Sequence, residues 1–221
     1  MSWESTAHYY SDLNKGVKKV LGGLHSAKIA MISLDFAPIE KMQKTGDWDA
    51  SAVVLSDAAK RIEAAGADFL LICTNTMHIV APQIEENINI PILHIADATA
   101  DVIKSNGIKK VGLLGTAFTM EKDFYKGRLE SKHDISVITP DEVDRKIVHD
   151  VIMQELCLGK IEGSSREEYL RIIESLASSG AEAVILGCTE IGILVKQTDT
   201  EIPLLDTTAI HGDKAIEMAL N

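Results

Sequence analysis

Two residues stand at matching positions in the sequence and could exchange protons with one small molecule. Residues 66–76 align without a gap to residues 180–190, and this alignment pairs Thr74 with Cys188. A cysteine thiolate can remove a proton from carbon, and a group on the opposite face can return one, which is the chemistry of racemisation. Cys188 follows an apolar run at the expected start of a helix, so we expect the helix dipole to lower its pKa. A threonine hydroxyl is a far weaker acid and base, so the predicted pair is unequal.

Hydroxyl and amide side chains near these positions could hold the carboxylates of a small anion. Asn75 and Thr76 follow Thr74, while Ser2 and Thr116 stand where helices are expected to begin. Backbone N–H groups at helix starts bind anions, but the same side chains also cap helices. Both interpretations stay open, and they are compatible because a cap leaves neighbouring N–H groups available to a ligand.

Other reactive side chains near the two segments favour structural roles. Cys73 is expected in the core, because neighbouring residues of a strand point to opposite faces and Thr74 takes the face of the site. His78 and His211 follow the functional segments of the two copies and could reach the site or orient a partner. We expect both to be hydrogen-bonded structural histidines.

The sequence contains no motif for a cofactor or a metal. The glycine patterns of dinucleotide and nucleoside triphosphate sites are absent, and no lysine stands in a setting typical of a Schiff base. The three cysteines are an odd number without zinc spacing, so neither a disulfide framework nor a structural metal is predicted. We therefore expect no cofactor, no metal and a reducing, cytoplasmic setting.

Charge and hydropathy exclude further classes of protein. The 221 residues include 22 Lys and Arg against 33 Asp and Glu, which gives a formal net charge of −11. Nucleic acid is not an expected partner, because neutralising phosphates needs a basic face. The composition is 46% hydrophobic, but no apolar run is as long as a membrane span, and the first residues lack the pattern of a secretory leader. A soluble globular protein is expected, with no membrane as partner.

The repeat predicts the fold. In both copies a helical stretch leads through a glycine into a short apolar run, with residues 47–65 before Gly66 and residues 166–178 before Gly180. The second stretch carries overlapping capping-box patterns, Ser164 with Glu167 and Ser165 with Glu168. Further apolar runs of strand length lie at 28–33, 90–93, 111–115, 135–138 and 202–205. Alternating strands and helices predict an α/β fold of two pseudo-symmetric, doubly wound parallel-sheet lobes, with the active site in the cleft between them.

The same repeat suggests that the first lobe lacks a strand. In the second copy the buried-type run 111–115 directly precedes Thr116, and Thr116 corresponds to Ser2 in the first copy. The matching first strand is therefore expected before Met1. Its absence would expose strand edges and apolar surface in that lobe.

Four motifs in order resemble the aspartate/glutamate racemase family. They lie at residues 1–6, 74–78, 186–191 and 206–211, and the resemblance covers essentially the whole chain. It implies a racemase that acts on L-glutamate and L-aspartate by two-base proton transfer, without pyridoxal phosphate or another cofactor. It also implies two α/β lobes, a homodimer and an acidic amino acid as the small-molecule partner. With the family's last helix placed on the first lobe, that lobe comprises residues 1–94 with 207–221, and the second comprises residues 95–206.

The resemblance also implies the site residues. Thr74 and Cys188 would be the catalytic pair, and Thr74 stands where most family members carry a cysteine. This departure resembles a threonine/cysteine subgroup that is similar to racemases specific for L-aspartate and L-glutamate. The implied substrate-binding residues are Met1, Gln43, Asn75, Thr76, Lys160, Thr189 and Glu190. From the residues alone, Gln43 and Lys160 could equally be solvated loop residues.

Two alternatives to this function stay open. Another enzyme of the same superfamily, such as a hydantoin racemase or a maleate isomerase, would also act beside a carboxylate. A catalytically weak amino-acid binding protein would explain a threonine in the place of a base. Substrate profiling separates the enzymes, and binding without proton exchange would indicate the binding protein.

Overall fold

The computed structural model describes residues 2–221, which divide into two compact units. Among the described residues, one unit comprises residues 2–94 with 211–221, and the other comprises Ile95–Ile210. The division at the C-terminal side lies inside the last helix, α11 (Thr207–Leu220), four residues beyond the boundary expected from the sequence. No helix among the described residues has both the length and the apolar character needed to span a membrane.

The second unit is built on a four-stranded, all-parallel sheet. Its strands are β1 (Lys110–Gly115), β2 (Ser136–Ile138), β3 (Ala183–Gly187) and β4 (Leu204–Asp206), in the order β2-β1-β3-β4. β3 is buried along its whole length, as is typical of a parallel sheet covered on both faces. The predicted α/β class is therefore confirmed, and every strand expected in this part of the sequence is formed.

Helices cover both faces of this sheet. They are α5 (Ile95–Ser105), α6 (Ala117–Glu121), α7 (Lys126–His133), α8 (Glu142–Gln154), α9 (Gly163–Ser178) and α10 (Ile191–Leu194), with short 3-10 helices at Leu156–Leu158 and Gln197–Asp199. Alternate residues of β3 enter two separate cores. Val184 and Leu186 pack with α8 and α9, whereas Ala183 and Ile185 pack with α5 and α7. The period of two along the strand thus determines which helices it contacts.

Glycine at the end of β3 allows the strands to approach closely. A Cβ atom at Gly187 would lie 2.7 Å from the carbonyl oxygen of Leu114, a distance that real side chains do not adopt. Leu114 pairs with Leu186 in the neighbouring register position. The residue immediately before Cys188 must therefore lack a side chain for β1 and β3 to pair as they do.

The first unit contains helices around extended chain. Its helices are α1 (Trp3–Leu21), α2 (Phe36–Thr45), α3 (Trp48–Ala64), a 3-10 helix (Thr76–Val80), α4 (Ala81–Glu85) and the second part of α11. The helix predicted over residues 47–65 is confirmed as α3, with the Asp47 side chain accepting from the N–H of Ala50. The chain leaves this helix through Gly66, whose φ of 87° favours glycine.

The strands expected in the first unit are not formed as a ladder. Residues 28–33 are extended but belong to no strand, and the run after Gly66 makes one isolated parallel bridge, Leu70 to Ile92. Two backbone hydrogen bonds define this bridge, from Leu70 N to Pro91 O and from Leu93 N to Leu70 O. A strand is stabilised by pairing on its edges, so an apolar run without a paired neighbour stays extended without becoming sheet.

The capping box predicted for the second repeated helix is wrong. α9 begins at Gly163, so both serines lie inside the helix, and its N-cap residue Glu162 makes no capping hydrogen bond through its side chain. Ser165 instead donates its hydroxyl to Glu155 Oε2 at 2.6 Å. A tertiary hydrogen bond has replaced the local one that the pattern favours.

Candidate active site

Thr74 lies in a tight bend at the end of the extended run 69–73. Its N–H donates to the carbonyl of Ile72 at 2.7 Å, and its own carbonyl accepts from Nδ1 of His78 at 2.8 Å. Because a carbonyl only accepts, the proton of the neutral His78 ring lies on Nδ1. Asn75 and Thr76 follow in the bend and are buried. The three predicted residues of this motif therefore lie together, held by a histidine four positions later.

A cluster of buried histidines supports this bend, and we call His78, His94 and His211 the histidine cluster. The His78 ring lies 4.4 Å from His94 and 6.1 Å from His211, centroid to centroid. Nε2 of His211 donates to the carbonyl of Leu93 at 2.8 Å, so its Nδ1 accepts from the Tyr9 hydroxyl at 2.8 Å. His78 and His211 are buried and hydrogen-bonded, as expected of structural histidines. Sequence reasoning missed His94, although its place at the end of the apolar run 90–93 was a usable signal.

Burial keeps the rings of His78 and His211 neutral. It lowers the pKa of His78 well below the usual value, and the neighbouring His94 and His211 lower it further. Burial lowers the pKa of His211 to about 4, against the opposite effect of the hydrogen bond to Leu93. At neutral pH these rings act as directed hydrogen-bond donors rather than as charges.

Gln43 lies beside the Thr74 motif. The residue belongs to α2, is buried, and donates from Nε2 to the sulfur of Met77 at 2.9 Å. The interpretation of Gln43 as a solvated loop residue is therefore wrong, because the α2 helix carries it into the unit. Its side-chain amide is held next to the 3-10 helix that follows Thr74.

Cys73 is a poor candidate for the missing acid–base cysteine. Burial raises the pKa of its thiol to about 11. Its carbonyl accepts from the Ser5 hydroxyl at 3.2 Å, which joins the extended run to α1. The raised pKa and this contact are consistent with the packing role predicted for Cys73.

Cys188 follows β3 in a bend that leads to Glu190. Its Sγ donates to Glu190 Oε2 at 3.0 Å, and its carbonyl accepts from the N–H of Ile191 at 3.1 Å. The predicted lowering of the Cys188 pKa is wrong. Burial raises this pKa well above the usual value, and the Glu190 carboxylate and Cys157 raise it further. α10 begins three residues after Cys188 and has only four residues, so it gives too little dipole to oppose these effects.

The remaining predicted residues differ in environment. Glu190 is buried and Thr189 is half-buried in the same bend as Cys188. Lys160 lies exposed in a loop, with its N–H donating to the carbonyl of Glu155 at 3.0 Å. Met1 lies outside the described residues. Among residues 2–221, no three histidine, cysteine or acidic side chains are grouped to hold a metal ion.

Two of the four residues that could either cap a helix or bind an anion, Ser2 and Thr116, are helix caps. The Ser2 hydroxyl accepts from the N–H of Ser5 at 3.1 Å, at the start of α1. The Thr116 hydroxyl accepts from the N–H of Thr119 at 3.4 Å, at the start of α6. Each unit therefore begins a helix with the same type of cap at the position that the repeat pairs.

Sequence comparison places the whole chain in one family. The Asp/Glu/Hydantoin racemase family model matches residues 1–215. The chain belongs to this family. The predicted resemblance is therefore confirmed, and the prediction of an isomerase that acts on amino acids without pyridoxal phosphate is confirmed at the level of the family.

Three known proteins show how similar this chain is to others in sequence and in structure. A broad specificity amino-acid racemase from Bacillus subtilis (strain 168) is 24% identical over 170 residues, which cover 74% of this chain and 70% of that protein. The crystal structure of a Yersinia pestis protein assigned as an Asp/Glu racemase is 53% identical, with a TM-score of 0.94 over 100% of this chain and 96% of that chain. An aspartate racemase homologue from Pyrococcus horikoshii OT3 is 33% identical, with a TM-score of 0.85 over 99% and 95%.

Proposed function

We propose that this protein racemises L-aspartate and L-glutamate, with Cys188 and Thr74 as its two acid–base groups. Each unit supplies one of them at the end of a repeated apolar run. The observation that carries the proposal is the hydrogen bond from the Cys188 thiol to the Glu190 carboxylate. It supplies a proton acceptor for a thiol that burial keeps protonated.

Glu190 has the role of activating Cys188. The carboxylate accepts the thiol proton when substrate binds, and the resulting thiolate removes the α-proton of the L-amino acid. The C–H bond breaks, and its electron pair stays on Cα as a carbanion that the α-carboxylate of the substrate stabilises. This step needs a base already within hydrogen-bond reach of the thiol, a condition that the 3.0 Å contact meets.

Thr74 completes the reaction from the opposite face. Its hydroxyl donates a proton to the carbanion, directly or through water, and takes up another proton from solvent. Glu190 releases to solvent the proton that it accepted from Cys188, which now carries the α-proton of the substrate. The His78 hydrogen bond to the Thr74 carbonyl fixes the bend from which the hydroxyl acts. Because a threonine hydroxyl is a weak acid and a weaker base, this half of the reaction limits turnover, and starting from the D enantiomer is slower still.

Polar groups near both catalytic residues are proposed to bind the substrate carboxylates. Asn75 and Thr76 belong to the Thr74 bend and Thr189 to the Cys188 bend. Gln43 and Lys160 are proposed for the distal carboxylate. Their local donors must act against a net charge of −11, which disfavours the approach of an anion.

The similarity to the Yersinia pestis protein supports acidic amino acids as substrates, since that protein is assigned as an Asp/Glu racemase and is 53% identical. The family description also includes hydantoin racemases, which favours a hydantoin as the second candidate substrate class. A hydantoin has no free α-carboxylate, so the two classes make different demands on the donors around Thr74.

Proton NMR in D2O tests the proposal. L-Aspartate, L-glutamate and a 5-substituted hydantoin are incubated separately, and loss of the α-proton signal is followed, with chiral chromatography of the products. We expect exchange and D product with an acidic amino acid, and no exchange with Cys188→Ala. Exchange confined to the hydantoin would show that the substrate is a hydantoin and not an acidic amino acid. Unchanged exchange by Cys188→Ala would reject the mechanism.

A further inference from the structure

In the second unit, one side-chain hydrogen bond joins the two ends of the segment 156–164. The Ser165 hydroxyl donates to Oε2 of Glu155 at 2.6 Å, and these two residues flank the segment. Glu155 follows α8, and Ser165 lies in the first turn of α9. We call this hydrogen bond the loop clip. A segment whose ends are held together in this way has less conformational freedom than an open one.

The backbone of Glu155 also holds this segment. Its carbonyl accepts from the N–H of Leu158 at 2.9 Å and from the N–H of Lys160 at 3.0 Å. Gly159 lies between them with a φ of 73°, which favours glycine, and its N–H donates to the carbonyl of Leu156. The backbone of Lys160 is therefore bonded directly to Glu155, the residue that the loop clip connects to α9.

The segment lies against the core that also contacts Cys188. Leu156 is buried in the core cluster of α8 and α9, and both Cys157 and Cys188 pack against that cluster. Burial raises the pKa of Tyr169 in α9, and the nearby Cys188 and Glu155 raise it further. Because Cys188 and Glu155 both act on this tyrosine, the loop clip lies in the surroundings of the proposed acid–base cysteine.

The side chains at the tip of the segment face solvent. Leu158 is 65% exposed and Ile161 is 48% exposed, and Lys160 lies exposed between them. Within residues 2–221 the Lys160 ammonium makes no ion pair or hydrogen bond. A lysine whose backbone is held while its ammonium has no protein partner can pair with an anion from solution.

We propose that the loop clip positions Lys160 for the distal carboxylate of the substrate and so selects amino acids with two carboxylates. This inference rests on the proposed function, in which Lys160 binds that carboxylate. Glu155 and Ser165 are positioning residues, since they act through the backbone of Lys160 and do not touch the substrate. Holding the backbone favours binding, because less conformational freedom is then lost when the ammonium meets the carboxylate.

Hydrogen exchange tests the loop clip without any measurement of activity. Ser165→Ala removes the donor, and Ser164→Ala is the matched control because Ser164 is the preceding residue and is exposed. We expect Ser165→Ala to speed exchange at the N–H groups of Leu158 and Lys160 by about tenfold, with β1 and β3 as unaffected references. Equal exchange in the two variants would overturn the proposal.

Steady-state kinetics test the effect on the substrate. Ser165→Ala should raise the KM for L-aspartate and L-glutamate by about fivefold and change kcat little, because Lys160 does not act on the reacting atoms. Glu155→Gln keeps an oxygen that can accept from Ser165, so its KM should lie between those of the parent chain and Ser165→Ala. An unchanged KM in Ser165→Ala would overturn the proposal even if exchange were faster.

A double-mutant cycle distinguishes an effect through Lys160 from a general loss of structure. In a chain that already carries Lys160→Ala, Ser165→Ala should raise KM little further, because the side chain that it positions is gone. Independent effects of the two changes would overturn the link to Lys160. A parent chain that racemised neither acid would overturn both the proposed function and the selection of a dicarboxylate, whereas hydrogen exchange would still show whether the clip holds the segment.

Discussion

At the scale of single residues, the Cys188 thiol and the Glu190 carboxylate form one functional group. Burial is the main cause of the raised pKa of the thiol, and the carboxylate that accepts its hydrogen bond raises this pKa further. A carboxylate beside a thiol disfavours the thiolate in the free protein, but it can accept the proton when the thiol ionises. In the proposed mechanism, the chemistry of this site therefore depends on transferring a proton within the pair rather than on a thiolate stabilised by a helix dipole.

The first prediction concerns Glu190→Gln. The amide keeps the size of the side chain but removes its negative charge, so the pKa of Cys188 should fall. The rate of alkylation by iodoacetamide, measured against pH, should therefore reach its plateau at lower pH. The amide is also no proton acceptor, and α-proton exchange should drop by about 10²-fold.

The two readouts distinguish a proton acceptor from a structural residue. Glu190→Asp keeps the charge on a shorter side chain and is the matched control, with a smaller loss of exchange and little change in the alkylation profile. An alkylation profile that is the same in Glu190→Gln and the parent chain would contradict the coupling between these side chains.

The second prediction concerns Thr74→Cys. A thiol is a much stronger acid and base than a hydroxyl, so this change should speed the conversion of D-aspartate or D-glutamate most. The ratio of D-to-L over L-to-D initial rates, measured by chiral chromatography, should rise toward one. Thr74→Ser keeps the hydroxyl and should leave this ratio unchanged, while an unaltered ratio in Thr74→Cys would argue against a catalytic role for residue 74.

At the scale of elements, the histidine cluster connects helices to extended chain within the first unit. Tyr9 lies on α1 and His211 on α11, and their hydrogen bonds continue to the carbonyl of Leu93. His78 then contacts His94 and bonds the carbonyl of Thr74. The position of Thr74 is therefore determined by four elements and not only by the sheet edge before it.

The third prediction is a loss of stability in acid that involves His211. Its pKa is about 4 in the folded chain and near 6.5 in an unfolded one. Between these values the unfolded chain binds the extra proton, so the free energy of unfolding falls as pH drops from about 6.5 toward 4, by up to about 3 kcal/mol. Urea unfolding at pH 7 and pH 5 should show this fall, and His211→Gln should reduce it.

An exposed histidine provides the comparison for this experiment. His8 lies on the exposed side of α1 and outside the histidine cluster. His8→Gln should therefore keep the full fall in stability between pH 7 and pH 5. If both variants behaved alike, the acid sensitivity would belong to other groups.

Sequence patterns predict those elements whose stabilising contacts are repeated locally. β1 and β3 are continuous apolar runs, and α3 has its apolar spacing with Asp47 as cap, so each follows from the sequence. Residues 28–33 carry the same apolar signal, but whether they become a strand depends on a neighbour that the local pattern does not contain. The prediction of a lowered pKa for Cys188 was wrong for a related reason, because burial and the Glu190 contact are tertiary properties.

At the scale of the whole molecule, the net charge of the protein and the charge of the proposed substrate have the same sign. The chain carries −11, and aspartate and glutamate are anions. Long-range repulsion slows the approach of such a substrate, and salt screens that repulsion at separations beyond a Debye length, which is about 10 Å at 0.1 M. Donors within the site act only after the substrate has come close.

The fourth prediction follows from this charge. The kcat/KM for L-aspartate should rise, by about twofold, when potassium chloride is increased from about 10 to 150 mM, because screening weakens the repulsion. Alkylation of Cys188 by uncharged iodoacetamide is the control and should not respond to salt. A fall in kcat/KM over this range would show that attraction by local donors outweighs the charge of the molecule.

The close approach of Gly187 to Leu114 has a practical consequence for directed evolution. Any side chain at position 187 would meet a backbone oxygen, so a saturation library there would consist almost wholly of damaged proteins. The exposed side chain of Lys160 carries no such constraint, so amino acids other than proline, which would remove the N–H bonded to Glu155, can be sampled at that position at little risk to folding. A search for altered substrate range should therefore hold the residue before Cys188 fixed and place its diversity at Lys160.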